Sequence, residues 1–417
     1  MKICIIGAGP AGLMAAGRAL EHGAQVTVYE RNDIAGYKLL ISGKGRCNLT
    51  NAADLPEFIT AYSPHGEFLY GAFHQFFRPE LLELLKRHGV ETVTERGGRI
   101  FPVSQKSTDV RDALTSYASQ AKMRYGQRVE NILHNNGQVT GIQINSKELS
   151  ADRVIITTGG KSYPGTGSTG DGYAFAEQSG HRVLDLYPAL TPLTCSEKWI
   201  KNVQGLGLKN VALTIRAANQ VISTKFGEML FTHFGISGPI VLDASRDITT
   251  YLRSHGSAPD NWPEPLQANI DLKPALSDTQ LQARLQRDFD QEGKKYFVSI
   301  LKNLLPASLI PVFVELTGIP RDKLGNQINR QERQRLFELL RKLPCTITGL
   351  IGFKDAIITS GGVSLQEINP KTMESRLVKG LYFAGEVLDL DAPTGGYNLQ
   401  AAFSTGWVAG EHASLSV

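Results

Sequence analysis

The 417 residues carry 44 Lys+Arg against 40 Asp+Glu, with 41% hydrophobic and 20% charged residues. These proportions suit a globular chain of about two to three domains and exclude a disordered or low-complexity polypeptide. No apolar run approaches the ~20 residues needed to cross a bilayer. Four scattered cysteines, Cys4, Cys47, Cys195 and Cys345, contain no CxxC pair, which argues against a zinc site or disulfide framework and for a reducing cytoplasm.

The chain opens on a short apolar run, Lys2 to Ile6, then Gly7-Ala8-Gly9-Pro10-Ala11-Gly12, then a helical stretch from Leu13 to His22. The glycines break any secretory h-region, so a signal peptide is not expected. A second apolar run, Gln25 to Tyr29, ends in Glu30. Strand, glycine turn, helix, strand and acid form a dinucleotide-binding pattern. Gly7 permits the turn, Gly9 admits a pyrophosphate, and Gly12 lets helix and strand pack. The helix N-terminus offers free N–H groups and the positive end of its dipole. Glu30 is placed to hold both ribose hydroxyls and would repel a 2′-phosphate, disfavouring NADP at this site.

From Gly36 to Asn51 the chain is rich in glycine, cations and short polar side chains. It is too glycine-rich for a helix and too polar for a core strand, and reads as a loop whose N–H groups and cations can meet anionic oxygens. Helices are expected over Phe68 to Arg87 and Asp109 to Ala121. A hairpin is expected from Gln127 to Ile144 around Asn135-Asn136-Gly137. Val129 either flanks an adenine or fills the strand's core. Arg153 to Thr158 reads as a buried strand closing on Thr158-Gly159-Gly160, a second close approach to the dinucleotide. Gly165 to Gly170 also satisfies GxGxxG, but six residues separate it from the strand. It is rejected as a second fingerprint, leaving no dedicated NAD(P) domain.

Thr191 to Asp271 is rich in short β-type runs. Within it, Gly227 to Pro239 reads as a glycine-punctuated loop carrying His233, either a structural histidine or a proton donor. Ser277 to Lys342 is helical by period, interrupted at Pro306, Pro311 and Pro320. Its 12 Lys+Arg against 8 Asp+Glu are read as solvated helix faces rather than a basic binding surface. Leu381 to Ala384 is a strand followed by Gly385-Glu386, and a glycine loop leads to a helix from Leu399 to His412. A second strand–glycine–acid element and a helix start suit the extra length of FAD, whose reduced ring is stabilised by a helix N-terminus.

The stretches GAGPAG, KLLISGKGRCNLTN, TTGGKSYPGTGSTGDGY, GEMLFTHFGISGP and GLYFAGEVLDLDAPTGGYNLQAAFSTG together resemble the BaiN/RdsA (YhiN-like, aminoacetone oxidase-like) flavoproteins, from about Lys2 to His412. The resemblance implies an α/β fold: a Rossmann-type two-dinucleotide-binding FAD domain, residues 1–187 and 345–417, with an inserted β-barrel-like substrate domain, 188–276, and a small helical subdomain, 277–344. It implies cofactor contacts at Gly7, Gly9, Pro10, Ala11, Gly12, Glu30, Arg31, Lys38, Ser42, Gly43, Arg46, Cys47, Asn48, Val129, Thr158, Gly159, Gly160, Gly385, Glu386, Asn398, Leu399 and Gln400. It further implies an FAD-dependent oxidoreductase with NADH or NADPH as transient reductant, acting as monomer or homodimer. The expected reaction is reduction of a conjugated C=C bond in a small molecule. Reduction of uridine in ribosomal RNA and oxidation of an amino ketone by O2 are the alternatives. Arg46 or Asn48 would polarise the carbonyl, and Tyr397, His233 or Cys47 would supply the proton. No metal site and no membrane contact are expected.

Overall fold

The computed structural model describes residues 1–258, 262 and 264–415. Two compact units emerge, Met1–Pro188 with Phe353–Val417, and Ala189–Gly352. The chain therefore re-enters the first unit at Phe353 rather than at 345, because Leu343–Leu350 is a barrel strand of the second.

The first unit is built on a parallel sheet in the order Leu381–Phe383, Arg153–Ile156, Lys2–Ile6, Gln25–Tyr29, Lys122–Arg124. Strands buried on both faces read as continuous apolar runs, and Ile3, Ile5, Val154, Ile155 and Phe383 are all buried. The register is level: Ile6 stands beside Tyr29 and Ile156, and Ile156 beside Phe383. Gly7, Glu30, Thr157 and Ala384 consequently leave the sheet along one carboxyl edge, where open α/β sheets take ligands.

The helix Pro10–Glu21 packs against Tyr397–Ser414 at close range. A Cβ built on Gly406 would stand 2.3 Å from the Ala11 carbonyl oxygen, and one on Gly410 would stand 2.4 Å from that of Ala15. Small residues four apart on both helices set this seam. Its solvent end is closed by Glu411, which accepts from Arg18 and lies 2.8 Å from His22 Nε2.

Several elements differ from expectation. Tyr37–Ile41 is a short helix within the Gly36–Asn51 stretch, and Phe68 to Arg87 divides into Gly66–Leu69, Tyr70–Gln75 and Arg78–Arg87. The hairpin forms as Asn131–Asn135 with Gln138–Ile144, and both turn residues, Asn136 and Gly137, have positive φ.

Between Asp171–Gln178 and the last strand, His181 is buried, with Ser375 Oγ 2.8 Å from Nε2 and Glu367 Oε2 3.2 Å from Nδ1. Burial lowers its affinity for a proton below the ordinary value near 6.5, with Glu367 pulling the other way. Such a base contributes stability that is whole above the unfolded value and is lost progressively as pH falls toward the lower folded one. Burial shifts His412 in the same direction. The melting temperature should therefore fall between about pH 7.5 and 5.5, with a shallower slope in His181→Gln. A wild-type curve flat over that interval refutes this.

The second unit holds a closed antiparallel barrel in the order Leu193–Cys195, Gly235–Ser237, Gln220–Phe231, Gly207–Ala217, Leu266–Asp271, Leu343–Leu350. Gly227 to Pro239 is a hairpin rather than a loop, since Leu230 and Phe231 pair with Ser237 and Ile236. A helix unforeseen in the sequence, Pro239–Ser254, buries Ile240, Val241, Ala244, Ile248 and Leu252 at helical spacing, with Ile240 beside Gly227 of the barrel. Pro311 starts the helix Ile310–Thr317 instead of breaking one. Some of the basic charge in this segment is paired within it: Lys323 with Glu332 at 2.7 Å, Lys295 with Glu292 at 3.0 Å, and Arg341 with Asp278 at 2.9 Å.

Candidate dinucleotide site

The glycine turn divides its labour by position. Gly7 has φ +101°, and a Cβ there would meet the Thr157 carbonyl oxygen at 2.6 Å. At Gly12 a Cβ would lie 2.0 Å from the Gly7 carbonyl oxygen. Gly9 has nothing within 4 Å of the same built atom. Two glycines thus serve packing and the third faces open space. Pro10 is the first residue of the helix Pro10–Glu21, which has no side-chain cap, so its N-terminal dipole end stays available to an anion. Ala11 turns its side chain against Gly385.

Glu30 is buried and accepts three hydrogen bonds: Ala8 N–H on Oε2, and Asn32 N–H and Nδ2 on Oε1, each at 2.8 Å. Each carboxylate oxygen has about two acceptor positions, so Oε2 keeps one for a ligand hydroxyl while Oε1 is filled. Beside the ribose role expected of it, Glu30 braces the glycine turn. Asn32, which the sequence reading missed, also donates to the Thr166 carbonyl at 3.0 Å. The GTGSTG loop therefore folds back on the acid strand's end. Arg31 donates to Thr169 at 2.5 Å, and Arg128 grips Asp171 at 2.9 and 3.0 Å. Although burial opposes it, these hydrogen bonds and cations hold the Asp171 carboxyl below its ordinary value.

Gly160 joins the two halves of the chain. A Cβ there would stand 2.5 Å from Thr359 Oγ1 and 2.8 Å from Glu386 Oε1. Glu386 accepts from Lys38 Nζ at 2.7 Å, Ser162 Oγ at 2.9 Å and Thr359 N–H at 2.9 Å. Lys38 and Glu386 were each expected to face the cofactor; they neutralise one another instead. Thr157, not Thr158, makes the bonds to the opening turn, donating within 2.9 Å of the Ile6 and Gly7 carbonyls. Gly159, at φ +72°, lies beside Ser168.

The Ser42–Gly45 turn places Gly43 and Lys44 in the left-handed region, and the Ser42 hydroxyl donates to Leu39. Arg46 donates to Gln105 and Glu95 and lies 4.0 Å over the Phe101 ring, so its guanidinium is committed away from a substrate carbonyl. Cys47 is completely covered, and burial pushes its thiol up to about 12. It has no surface to offer a ligand and is a poor acid, which overturns its catalytic and cofactor roles. Asn48 is half-buried, and its Oδ1 is buried without a partner, as are Thr50 Oγ1, Thr158 Oγ1 and Gln400 Oε1.

The last helix begins at Tyr397 behind Gly396, again with no side-chain cap. Asn51 Nδ2 donates to the Gly395 carbonyl at 3.0 Å, and a Cβ on Gly396 would meet the Thr50 carbonyl oxygen at 2.3 Å. Tyr62 donates to the Tyr397 carbonyl at 2.5 Å, and the Tyr397 ring lies 4.6 Å from that of Phe58. These bonds bring the NLTN and TGGYN motifs together. Asn398 closes its own loop through Ala392, at 2.9 and 2.8 Å, and Gln400 is fully covered with its N–H donating to Gly396. The Asn398 side chain is thus occupied by its own loop; Leu399 is half-buried. Val129 sits in the core, which favours its packing role. His233 lies exposed at the hairpin tip of the barrel unit.

The donor set fits a dinucleotide: an open glycine, two uncapped helix N-termini on one edge, a braced acid and partnerless buried oxygens. Asn51, Asn32, Thr157 and Tyr62 hold the candidate site together, and motif reading missed them. Only Asn32, an Asx residue two places after the acid, left a local signal.

Comparison with known proteins shows the family. Residues 1–412 match the family described as HI0933-like protein Rossmann domain. The chain is 32% identical to a 3-dehydro-bile acid delta(4,6)-reductase of Clostridium scindens, over 99% of each protein. It is also 32% identical to a ribosomal RNA dihydrouridine synthase of Escherichia coli, over 98% of this chain and 96% of that protein. A 3-ketosteroid delta1-dehydrogenase from Sterolibacterium denitrificans shares the fold, with a TM-score of 0.54 at 14% identity and 99% coverage of both chains. With the family matched along almost its whole length, the chain belongs to the HI0933-like Rossmann family of FAD-dependent oxidoreductases.

Proposed function

We propose that this enzyme uses NADH or NADPH to reduce a C=C bond conjugated with a carbonyl in a small enone metabolite, of oxo-steroid or bile-acid type. The observation that carries the FAD site is the open space at Gly9 between the level strand ends and the braced Glu30. The reaction is supported by chemistry common to the two relatives: a 4,6-unsaturated 3-oxo bile acid and a uridine each hold an alkene conjugated with a carbonyl. Bound at this edge, FAD supplies the two-electron carrier between nicotinamide and alkene.

The chain's own residues would do the rest. N–H groups of the turn Gly7 to Gly12 hold the pyrophosphate, and Glu30 Oε2 takes one ribose hydroxyl. The uncapped N-terminus at Gly396 and Tyr397 faces negative charge on the reduced ring. Asn48 contacts the substrate carbonyl or the ring edge. Tyr397, its ring fixed by Phe58 and its carbonyl by Tyr62, is the proposed proton donor.

Reduction under anaerobic conditions tests the reading. NADH or NADPH should bleach the flavin, and a 3-oxo-4-ene bile acid should restore its colour with saturated product. A flavin that the enone leaves bleached, but that an amino ketone reduces and O2 reoxidises with peroxide release, makes the protein an oxidase and ends the proposal. The Escherichia coli relative favours a second reading, reduction of uridine in 23S ribosomal RNA. Loss of dihydrouridine from the ribosomal RNA of a deletion strain, with no response to the enone, would establish that reading instead.

A further inference from the structure

Within the barrel unit, Leu193–Cys195 and Leu343–Leu350 are neighbouring antiparallel strands, and Cys195 stands opposite Ile347. The ladder is irregular there, with a register shift between Thr194 and Cys195. Leu343, Cys345 and Ile347 alternate into the barrel's interior and are wholly buried, whereas Cys195 is partly exposed. Cys195 and Cys345 therefore share one face of adjacent strands, one step apart along the diagonal, and their side chains are within hydrogen-bonding reach. Glu197 stands beside them. Its Oε1 accepts from Thr346 N–H at 2.8 Å, while its Oε2 is buried without a partner.

We propose that Cys195 and Cys345 form a redox modification site, in which a peroxide oxidises Cys195 and Cys345 resolves the product to an intrachain disulfide. In the first step the Cys195 thiol takes oxygen from hydrogen peroxide, giving a sulfenic acid and one water. In the second, the Cys345 sulfur attacks the Cys195 sulfur, the S–O bond breaks, and the Cys345 proton leaves with the hydroxyl as a second water. Both sulfurs are oxidised and the peroxide is reduced to two waters, so no further reductant or oxidant is needed. Division of labour follows from access: the partly exposed sulfur meets the oxidant, and the covered one can meet only its neighbour. The contact with Cys195, burial and the nearby Glu197 all raise the Cys345 thiol well above its ordinary value, so it stays protonated and unreactive toward peroxide itself. The free Oε2 of Glu197 can accept that proton in passing. The ladder irregularity supplies the slack that a bond of about 2.05 Å between sulfurs requires.

Peptide mapping of the intact flavoprotein tests this. After hydrogen peroxide and then iodoacetamide in denaturant, the Cys195 and Cys345 peptides should appear as one species, lighter by two hydrogens and separated by dithiothreitol. Cys4 and Cys47, both buried, should be recovered alkylated. Cys345→Ser should leave Cys195 as a sulfenic acid that dimedone labels, and Cys195→Ser should leave Cys345 fully alkylatable. Wild-type protein in which both thiols survive peroxide overturns the proposal. So does Cys195 passing to sulfinic acid without a link, or a disulfide found only between two chains.

Discussion

Gly12→Ala is expected to yield protein that fails to accumulate in soluble form and carries no flavin. The added methyl would sit 2.0 Å from the Gly7 carbonyl oxygen and 2.7 Å from Thr157 Oγ1. Neither can retreat: the carbonyl belongs to the turn, and the hydroxyl is held by the Ile6 and Gly7 carbonyls within 2.9 Å. Overpacking of this kind costs about 1–3 kcal/mol or more, against a net stability of about 5–15 kcal/mol. The same methyl at Gly9 meets nothing within 4 Å, and a φ of −76° with ψ of −176° suits alanine. Gly9→Ala should therefore match the melting temperature of wild-type apoprotein while losing about tenfold or more in flavin affinity, since the methyl occupies the space proposed for phosphate. Thermal unfolding of apoprotein, read beside the ratio of flavin to protein absorbance, separates the two. Full flavin retention in Gly9→Ala would move the phosphate elsewhere, and a normally folded Gly12→Ala would defeat the packing account.

The second large effect belongs to Glu30→Gln, which keeps the shape and removes the charge. Three N–H donors converge on this carboxylate, and the amide of glutamine must turn a donor toward one side. An unsatisfied buried donor costs about 1–3 kcal/mol, and losing a hydrogen bond to a charged group about 1.5–3 kcal/mol. The apoprotein should melt several degrees lower, because about 1 kcal/mol corresponds to roughly 2–4 °C in a unit of this size. Flavin affinity should fall on the order of tenfold or more. An apoprotein melting at the wild-type temperature would show that the turn stands without its acid.

How far the sequence speaks depends on whether a role is written locally. The opening turn was legible because its three glycines stand at fixed spacing between an apolar strand and a helix along the chain. The hairpin at Asn136-Gly137 was legible because both residues take positive φ. What failed was long-range. Arg46, Lys38 and Glu386 look like free charges in sequence, and only the fold supplies Glu95, or pairs Lys38 with Glu386 348 positions away. Cys47 stands in a polar, glycine-rich stretch that gives no sign of its complete burial. The helix Pro239–Ser254 was hidden by β-branched residues, Ile240, Val241, Ile248, Thr249 and Thr250, whose strand propensity yields to packing on the barrel.

The seam between the first and last helices has a consequence for biosynthesis. Arg18 bonds to Glu411 across 393 positions, and Ala11 and Ala15 find their partners only at Gly406 and Gly410. The βαβ unit, translated before the barrel and the last helix, must wait with its small-residue face uncovered until those later segments have been made. Nascent chains stalled within the barrel should hence be chaperone clients, unable to retain flavin until Tyr397–Ser414 has cleared the exit tunnel.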